Sequence, residues 1–173
     1  MISTVDLARI RRGLVTEGWV LFPLRLAIGL GFAAHGFAKL SRGPAAFATI
    51  LAALGIPAPL PMAWVTSVLE LTGGVALMLG AAVAPLALPL AVVVGTATIG
   101  VHWSYGFLSV RLKSIGPDGA VFGPVGYEMN LLYLAGLAAL AMGGPTPLSI
   151  DRWLATRRRR QVSAASPVGS DRR

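Results

Sequence analysis

Four stretches of the chain are apolar on every helical face: residues 19–40, 61–79, 85–103 and 127–142. A helix needs about 20 residues to cross the roughly 30 Å hydrocarbon core of a bilayer. A surface helix of a water-soluble bundle would alternate apolar and polar faces, and these do not. The pattern predicts an all-α protein, an integral membrane four-helix bundle. Between the first two spans, Phe47, Ile50, Leu51 and Leu54 fall at helical spacing and predict a short amphipathic helix. Gly55-Ile56-Pro57-Ala58-Pro59 then breaks it, and Pro61 suits the first turn of the second span. The second connection, 80–84, is a tight uncharged turn. The third, 104–126, is longer and carries Arg111, Lys113 and the turn Gly116-Pro117-Asp118-Gly119.

Composition agrees with the pattern. Of 173 residues, 55% are hydrophobic and 13% charged, where a soluble domain carries about 25% charged. Mean hydropathy is +0.71. There is no cysteine, which excludes disulfides, thiolate metal sites and thiol exchange by this chain itself. No Walker loop, dinucleotide fingerprint or zinc spacing is present, and no metal site is expected.

The net charge of +8 gains its meaning from where it lies. Arg9, Arg11, Arg12, Arg152, Arg157, Arg158, Arg159, Arg160, Arg172 and Arg173 all sit in the two ends. That is a pair of positive membrane flanks, not a nucleic-acid surface. The connections expected on the other side hold Arg42, Arg111 and Lys113. The asymmetry predicts both termini in the cytoplasm of a multi-pass protein of the inner membrane. Residues 1–18 read as a cytoplasmic lead-in, 19–153 as the transmembrane domain and 154–173 as a basic disordered tail. A cleaved signal peptide is disfavoured, because the apolar run after Trp19 contains Arg25, His35 and Lys39.

Ionisable residues inside apolar spans are the sharpest chemical signal. Each costs about 2.5–3.5 kcal/mol at mid-helix and is therefore expected to face protein or water. The candidates are Arg25, His35, Lys39, Glu70, His102 and Glu128. At 100° per residue Arg25, His35 and Lys39 share one face. With the amino end inside, His35 lies about 7 Å below the outer boundary, and His35, Lys39, His102 and Glu128 converge there. Glu70 lies deeper, within reach of Arg25 as a structural ion pair. Lys39 and Arg42 could instead snorkel at a helix end, and Lys39–Glu128 could be a second bracing pair. Gly31, Gly73 and Gly74 would let helix backbones approach closely. His35 and His102 at similar depth would permit a haem, but spacing is no evidence of ligation and haem is not expected.

In order along the chain stand Arg25-Leu-Ala-Ile-Gly29, His35-Gly36-Phe-Ala-Lys39, Glu70-Leu-Thr-Gly73-Gly74, His102-Trp-Ser-Tyr-Gly106-Phe107, Tyr127-Glu128-Met-Asn130 and a closing Gly143-Gly-Pro145-Thr-Pro-Leu-Ser149-Ile-Asp151. This ordered set resembles the DoxX family of four-helix bacterial membrane proteins over residues 21–153. The connection 109–126 is longer than in a compact member, and the closing glycine–proline segment is extended. The resemblance implies a cytoplasmic-membrane protein with redox associations. Family members look like subunits of thiosulfate:quinone oxidoreductase or of terminal oxidases. Others are implicated in oxidative-stress complexes with soluble redox proteins. The expected function is thus a component of a membrane redox system that binds quinone among its helices, with lipid and other subunits or soluble redox proteins as partners. His35 and His102 would contact the ring, Glu70 and Glu128 would exchange protons, and Arg25 and Lys39 would balance charge. If the chain takes part in catalysis, it does so as a subunit of a quinone-linked oxidoreductase. The alternatives are a non-catalytic scaffold docking soluble redox partners on the arginine-rich tail, and a small proton-coupled transporter.

Overall fold

A computed structural model describes Gly13 and residues 18–165; of residues 162–165 the backbone alone is described. Residues 1–12 and 14–17 of the lead-in, with Arg9, Arg11 and Arg12, and the end of the tail, with Arg172 and Arg173, lie outside the described residues. The protein is mostly helical. A short 3₁₀ turn, Trp19–Leu21, leads into α1 (Phe22–Ser41). Then follow α2 (Pro44–Ala53), α3 (Pro59–Leu79), α4 (Val83–Ala97), α5 (Glu128–Met142) and α6 (Ile150–Ala165). Prolines occupy the first turn of α1, α2 and α3, where the missing N–H would have no intrahelical partner anyway.

Three helical segments are long and apolar enough to cross a membrane: Trp19–Ser41, Pro59–Leu79 and Val83–Tyr105. The third continues α4 through a π-helical turn, Thr98–His102, and a 3₁₀ turn, Trp103–Tyr105. Helix α5 has 15 residues and so spans only about 22 Å.

Packing follows the small residues. α1 and α3 run antiparallel in close contact. A Cβ on Gly29 would lie 2.8 Å from the Gly74 carbonyl and 2.7 Å from Met78 Cγ, and one on Gly36 would fall on the Leu71 backbone. Gly74 in turn faces the backbone of Ala33, and Gly73 faces the Leu90 side chain of α4. The core joins Ile28 and Phe32 of α1, Leu77 of α3, Ala87, Leu90 and Val94 of α4, and Leu137 and Leu140 of α5. A smaller cluster of Ala48, Leu51 and Ala63 seats α2 on α3. Around this core Leu30, Phe37, Val65, Leu88, Val92 and Ile99 are exposed, an apolar outer surface suited to lipid rather than water.

The two ends of the molecule differ. One, the tail end, gathers the start of α1, the α3–α4 turn and residues 143–151. The other, the hairpin end, carries α2 and the long connection. That connection folds into a two-stranded antiparallel hairpin, β1 (Leu112–Gly116) and β2 (Gly119–Phe122), turning at Pro117-Asp118. The turn was readable in the sequence, whereas the strands around it were not.

Residues 154–165 are helical, not disordered as expected from their composition: α6 runs through the arginine block. Its first turn is anchored, since the Asp151 N–H donates to the Gly80 carbonyl at 2.9 Å. Arg157 also stacks over Trp153 at 4.0 Å from the ring centroid. A nucleated first turn lets good helix formers propagate.

Candidate functional site

The polar residues inside the helices resolve into separate contacts. Lys39, in the last turn of α1, reaches along the helix so that Nζ lies 2.5 Å from Glu70 Oε2. Glu70 is buried halfway along α3, and the ammonium also sits 4.4 Å from the centroid of Phe47 on α2. The pair ties together α1, α2 and α3 at the hairpin end. The expected Arg25–Glu70 pair is not formed, nor is Lys39–Glu128. In antiparallel α1 and α3 the partner level with Glu70 is the last third of α1, so Lys39 reaches it and Arg25, near the start of α1, does not.

Arg25 instead closes the tail end. It is the most deeply buried charge of the described residues, 1% exposed. Nη1 donates to the Thr146 hydroxyl and, at 3.5 Å, to the Pro147 carbonyl; Nη2 donates to the Leu148 carbonyl at 3.1 Å. The guanidinium lies 5.1 Å from the Phe22 ring centroid, and Nε is buried without a hydrogen bond among the described residues. Next to it the Asp151 carboxylate accepts from the Ala82 and Val83 N–H groups at 2.8 and 3.0 Å, capping α4 from a distant part of the chain. The segment 143–151 is therefore a plug between the helix ends, with Arg25 supplying the donors its carbonyls need.

At the hairpin end His102 and Glu128 hold the long connection. His102 Nδ1 donates to the Val125 carbonyl at 2.8 Å. The Glu128 carboxylate accepts from Ser109 N–H at 3.1 Å, and Trp103 stacks on Tyr127 with centroids 5.2 Å apart. Asn130 donates to Thr98 Oγ1 at 3.0 Å, joining α5 to the π-helical turn. These groups share an end of the molecule with Lys39. They form no single cluster with it, because each is satisfied by its own loop or helix neighbour.

His35 stands apart. It is exposed and makes no hydrogen bond among the described residues. Its helical face is that of Leu24, Ile28 and Gly31, and this face looks toward α5 across an open apolar groove of about 560 Å³. Leu24, Ala27 and Ile28 form one wall; Met129, Leu132, Tyr133, Ala135, Gly136 and Ala139 form the other. Pairing across the groove is antiparallel: Leu21 with Gly143, Ile28 with Gly136 and Gly31 with Tyr133. One further turn in the same register sets His35 level with Met129, at the groove's hairpin end. Tyr133 packs edge-on against Phe32 with centroids 5.3 Å apart, and its hydroxyl rests on Gly31 with no hydrogen-bond partner among the described residues.

Tyr133 was not singled out in the sequence, where an aromatic in an apolar span reads as packing. Its signal was available only in pairing: a residue as small as Gly31 opposite it leaves the hydroxyl room and no acceptor.

Residues 20–103 match the family model described as DoxX. The match contains Arg25, His35, Lys39, Glu70 and His102 and stops before α5. The chain is also 29% identical over 134 residues to "Inner membrane protein YphA" of Escherichia coli (strain K12), an alignment that covers 77% of this chain and 89% of that protein. No solved structure matches.

Proposed function

The chain belongs to the DoxX family of integral membrane proteins, and on that premise we propose that it binds quinone in the α1–α5 groove as a component of a membrane redox system. The observation that carries this reading is the pair of unsatisfied polar groups, His35 and the Tyr133 hydroxyl, beside an apolar groove. A polar group facing hydrocarbon without a hydrogen bond costs several kcal/mol, about 4–8 on a water-to-cyclohexane scale. A ligand with acceptor oxygens and an apolar body removes that cost. A quinone has both: ring carbonyls that accept from imidazole and phenol, and a prenyl tail for the strip formed by Leu24, Ala27, Ile28, Ala135 and Ala139. The groove volume lies within the range of about 300–1,000 Å³ usual for small-ligand sites.

In this arrangement only His35 of the expected ring contacts remains in that role, and Tyr133 takes the place expected of His102. Lys39 and Glu70 brace the helices behind the groove. With no cysteine in the chain, thiol chemistry in such a system belongs to a partner.

The reading includes four crossings with both termini cytoplasmic. Helix α5 alone falls short of the core thickness, but residues 143–149 continue its path, with Thr146, Pro147 and Ser149 buried. Irregular backbone is tolerated at membrane depth where protein covers and satisfies it, which is what Arg25 does. The arginines of α6 favour the tail end as cytoplasmic.

Photoaffinity labelling of the reconstituted protein with a quinone analogue tests the proposal. Label is expected on Met129, Leu132 or Tyr133, displaced by excess quinone and weakened about tenfold in H35L and Y133F, each of which removes one hydrogen bond to the ring. Label confined to surfaces away from α1 and α5, or binding unchanged in both variants, overturns it.

A further inference from the structure

Among the described residues helix α6 packs along no other helix, and its residues from Arg152 to Gln161 are exposed. Its start is nonetheless fixed in space. Asp151 is bonded through its N–H to Gly80 and through its carboxylate to Ala82 and Val83, so the first turn of α6 lies level with the ends of α3 and α4, where the apolar surface of the bundle stops. Trp19, at the start of α1, is at the same end: Gly18 beside it abuts Pro145 and Thr146. Trp19 and Trp153 are both exposed there, and tryptophan at the end of an apolar span marks the headgroup level.

The helix has a sided pattern. At 100° per residue Trp153, Arg157, Ile150 and Leu154 fall within an arc of about 100°. Arg160 lies about 20° beyond one edge of that arc and Arg158 about 40° beyond the other, while Arg159 points the opposite way. The three apolar residues are exposed. Arg157, at the centre of the arc, lays its guanidinium over the Trp153 ring at 4.0 Å from the centroid, a cation–π contact that holds the charge at the level of the indole.

We propose that α6 lies along the bilayer surface, with Ile150, Trp153 and Leu154 in the interface and Arg157, Arg158 and Arg160 bound to the headgroup phosphates of anionic phospholipids. Three features favour a lipid surface over an acidic protein or RNA. The apolar groups and Arg157, Arg158 and Arg160 share one side, they begin where the spans end, and a tryptophan stands at their junction. An interfacial helix needs an apolar strip sunk about 5–10 Å with basic residues at its rim; a nucleic-acid helix would carry its arginines without the strip. The inference is independent of the quinone site, which lies between α1 and α5.

The absence of native cysteine permits a direct test on the full chain. Leu154→Cys and Arg159→Cys are each spin-labelled, reconstituted into nanodiscs, and measured for collision with oxygen and with a water-soluble nickel chelate. In discs of phosphatidylcholine with phosphatidylglycerol the label at 154 is expected to favour oxygen and the label at 159 nickel. In phosphatidylcholine alone, or at high salt, both should favour nickel. R158Q and R160Q are each expected to lower the docked-to-undocked ratio about fivefold, one surface charge's worth, and R159Q by less. Equal water exposure at both positions in the anionic discs overturns the proposal. So does protection at 154 that appears only when RNA or an acidic soluble protein is added. So does an equal effect of all three arginine substitutions, which would mean diffuse attraction without a docked face.

Discussion

Lys39 of α1 and Glu70 of α3 form an ion pair at 2.5 Å, with the carboxylate buried mid-helix and the ammonium shielded by Phe47. The pair is a bracket between two helices that already touch along their glycines. Its energetics are asymmetric: the paired charges offset each other's desolvation, while either one left alone has no compensation.

E70L and K39M are therefore each expected to destabilise the protein by about 3 kcal/mol, whereas the double variant K39M/E70L should return to within about 1 kcal/mol of the parent. Reversible unfolding in mixed micelles measures all four corners of the cycle. Additive losses in the double variant would show that the two side chains act separately.

Arg25 makes a different prediction, because its role depends on a forked donor. Three acceptors on residues 146–148 converge on one guanidinium, and an ammonium has neither the reach nor the planar geometry to replace it. R25K should lose most of what R25M loses, on the order of 2–3 kcal/mol. Residues 143–151 should become cleavable by protease in both variants while the helices stay intact. Mass mapping of the first cleavage site checks this.

The sequence carried the helices because hydrophobicity over some 20 residues is a local property. The apolar runs beginning at 19, 61 and 85 coincide with helices starting at 19, 59 and 83, and Phe47 and Leu51 lie on a short helix as their spacing required. It also carried the list of polar residues worth attention, since a charge in an apolar run is conspicuous by itself. Pairing was another matter. Arg25 and Lys39 share a helical face, and both could be drawn toward Glu70; which one arrives depends on the antiparallel register of α1 against α3. That register is set by Gly29, Gly36 and Gly74 meeting backbone, and no single-helix pattern reports it. Tyr133 stayed invisible for the same reason, because its hydroxyl gains significance only from Gly31 across the groove. The strands of the hairpin were hidden by their short length and by the lack of a buried face: every residue of β1 and β2 is exposed.

Glycine positions should separate sharply by what they face. G36L and G74V place side chains against the backbone of the partner helix, which no rotamer can relieve. They should force α1 and α3 apart at a cost of about 3 kcal/mol or more. Gly95 of α4 has no atom within 4 Å of a built Cβ, so G95A should be neutral or slightly stabilising, by up to about 1 kcal/mol, since alanine is the better helix former. A scan of midpoints for the three variants in one detergent tests the contrast.

Asp151 caps a helix that begins 68 residues earlier, accepting from Val83 N–H as well as from Ala82. Ala82 itself takes a left-handed conformation, φ 51°, and supplies no capping oxygen, so the first donors of α4 depend on this one carboxylate. D151A should cost about 1–2 kcal/mol and loosen the start of α6, which would keep only the backbone bond from the N–H of residue 151 to the Gly80 carbonyl. D151N keeps one acceptor oxygen and should retain part of the stability. A82G acts in the opposite sense: it removes the Cβ clash of the left-handed backbone and should add about 1 kcal/mol. Because Asp151 joins residues 80–83 to α6, hydrogen exchange gives the decisive reading. In D151A the amides of the first turn of α4 and of α6 should lose protection together, while those of α1 and α3 keep theirs. Loss confined to α4 would mean that α6 is held by some other contact.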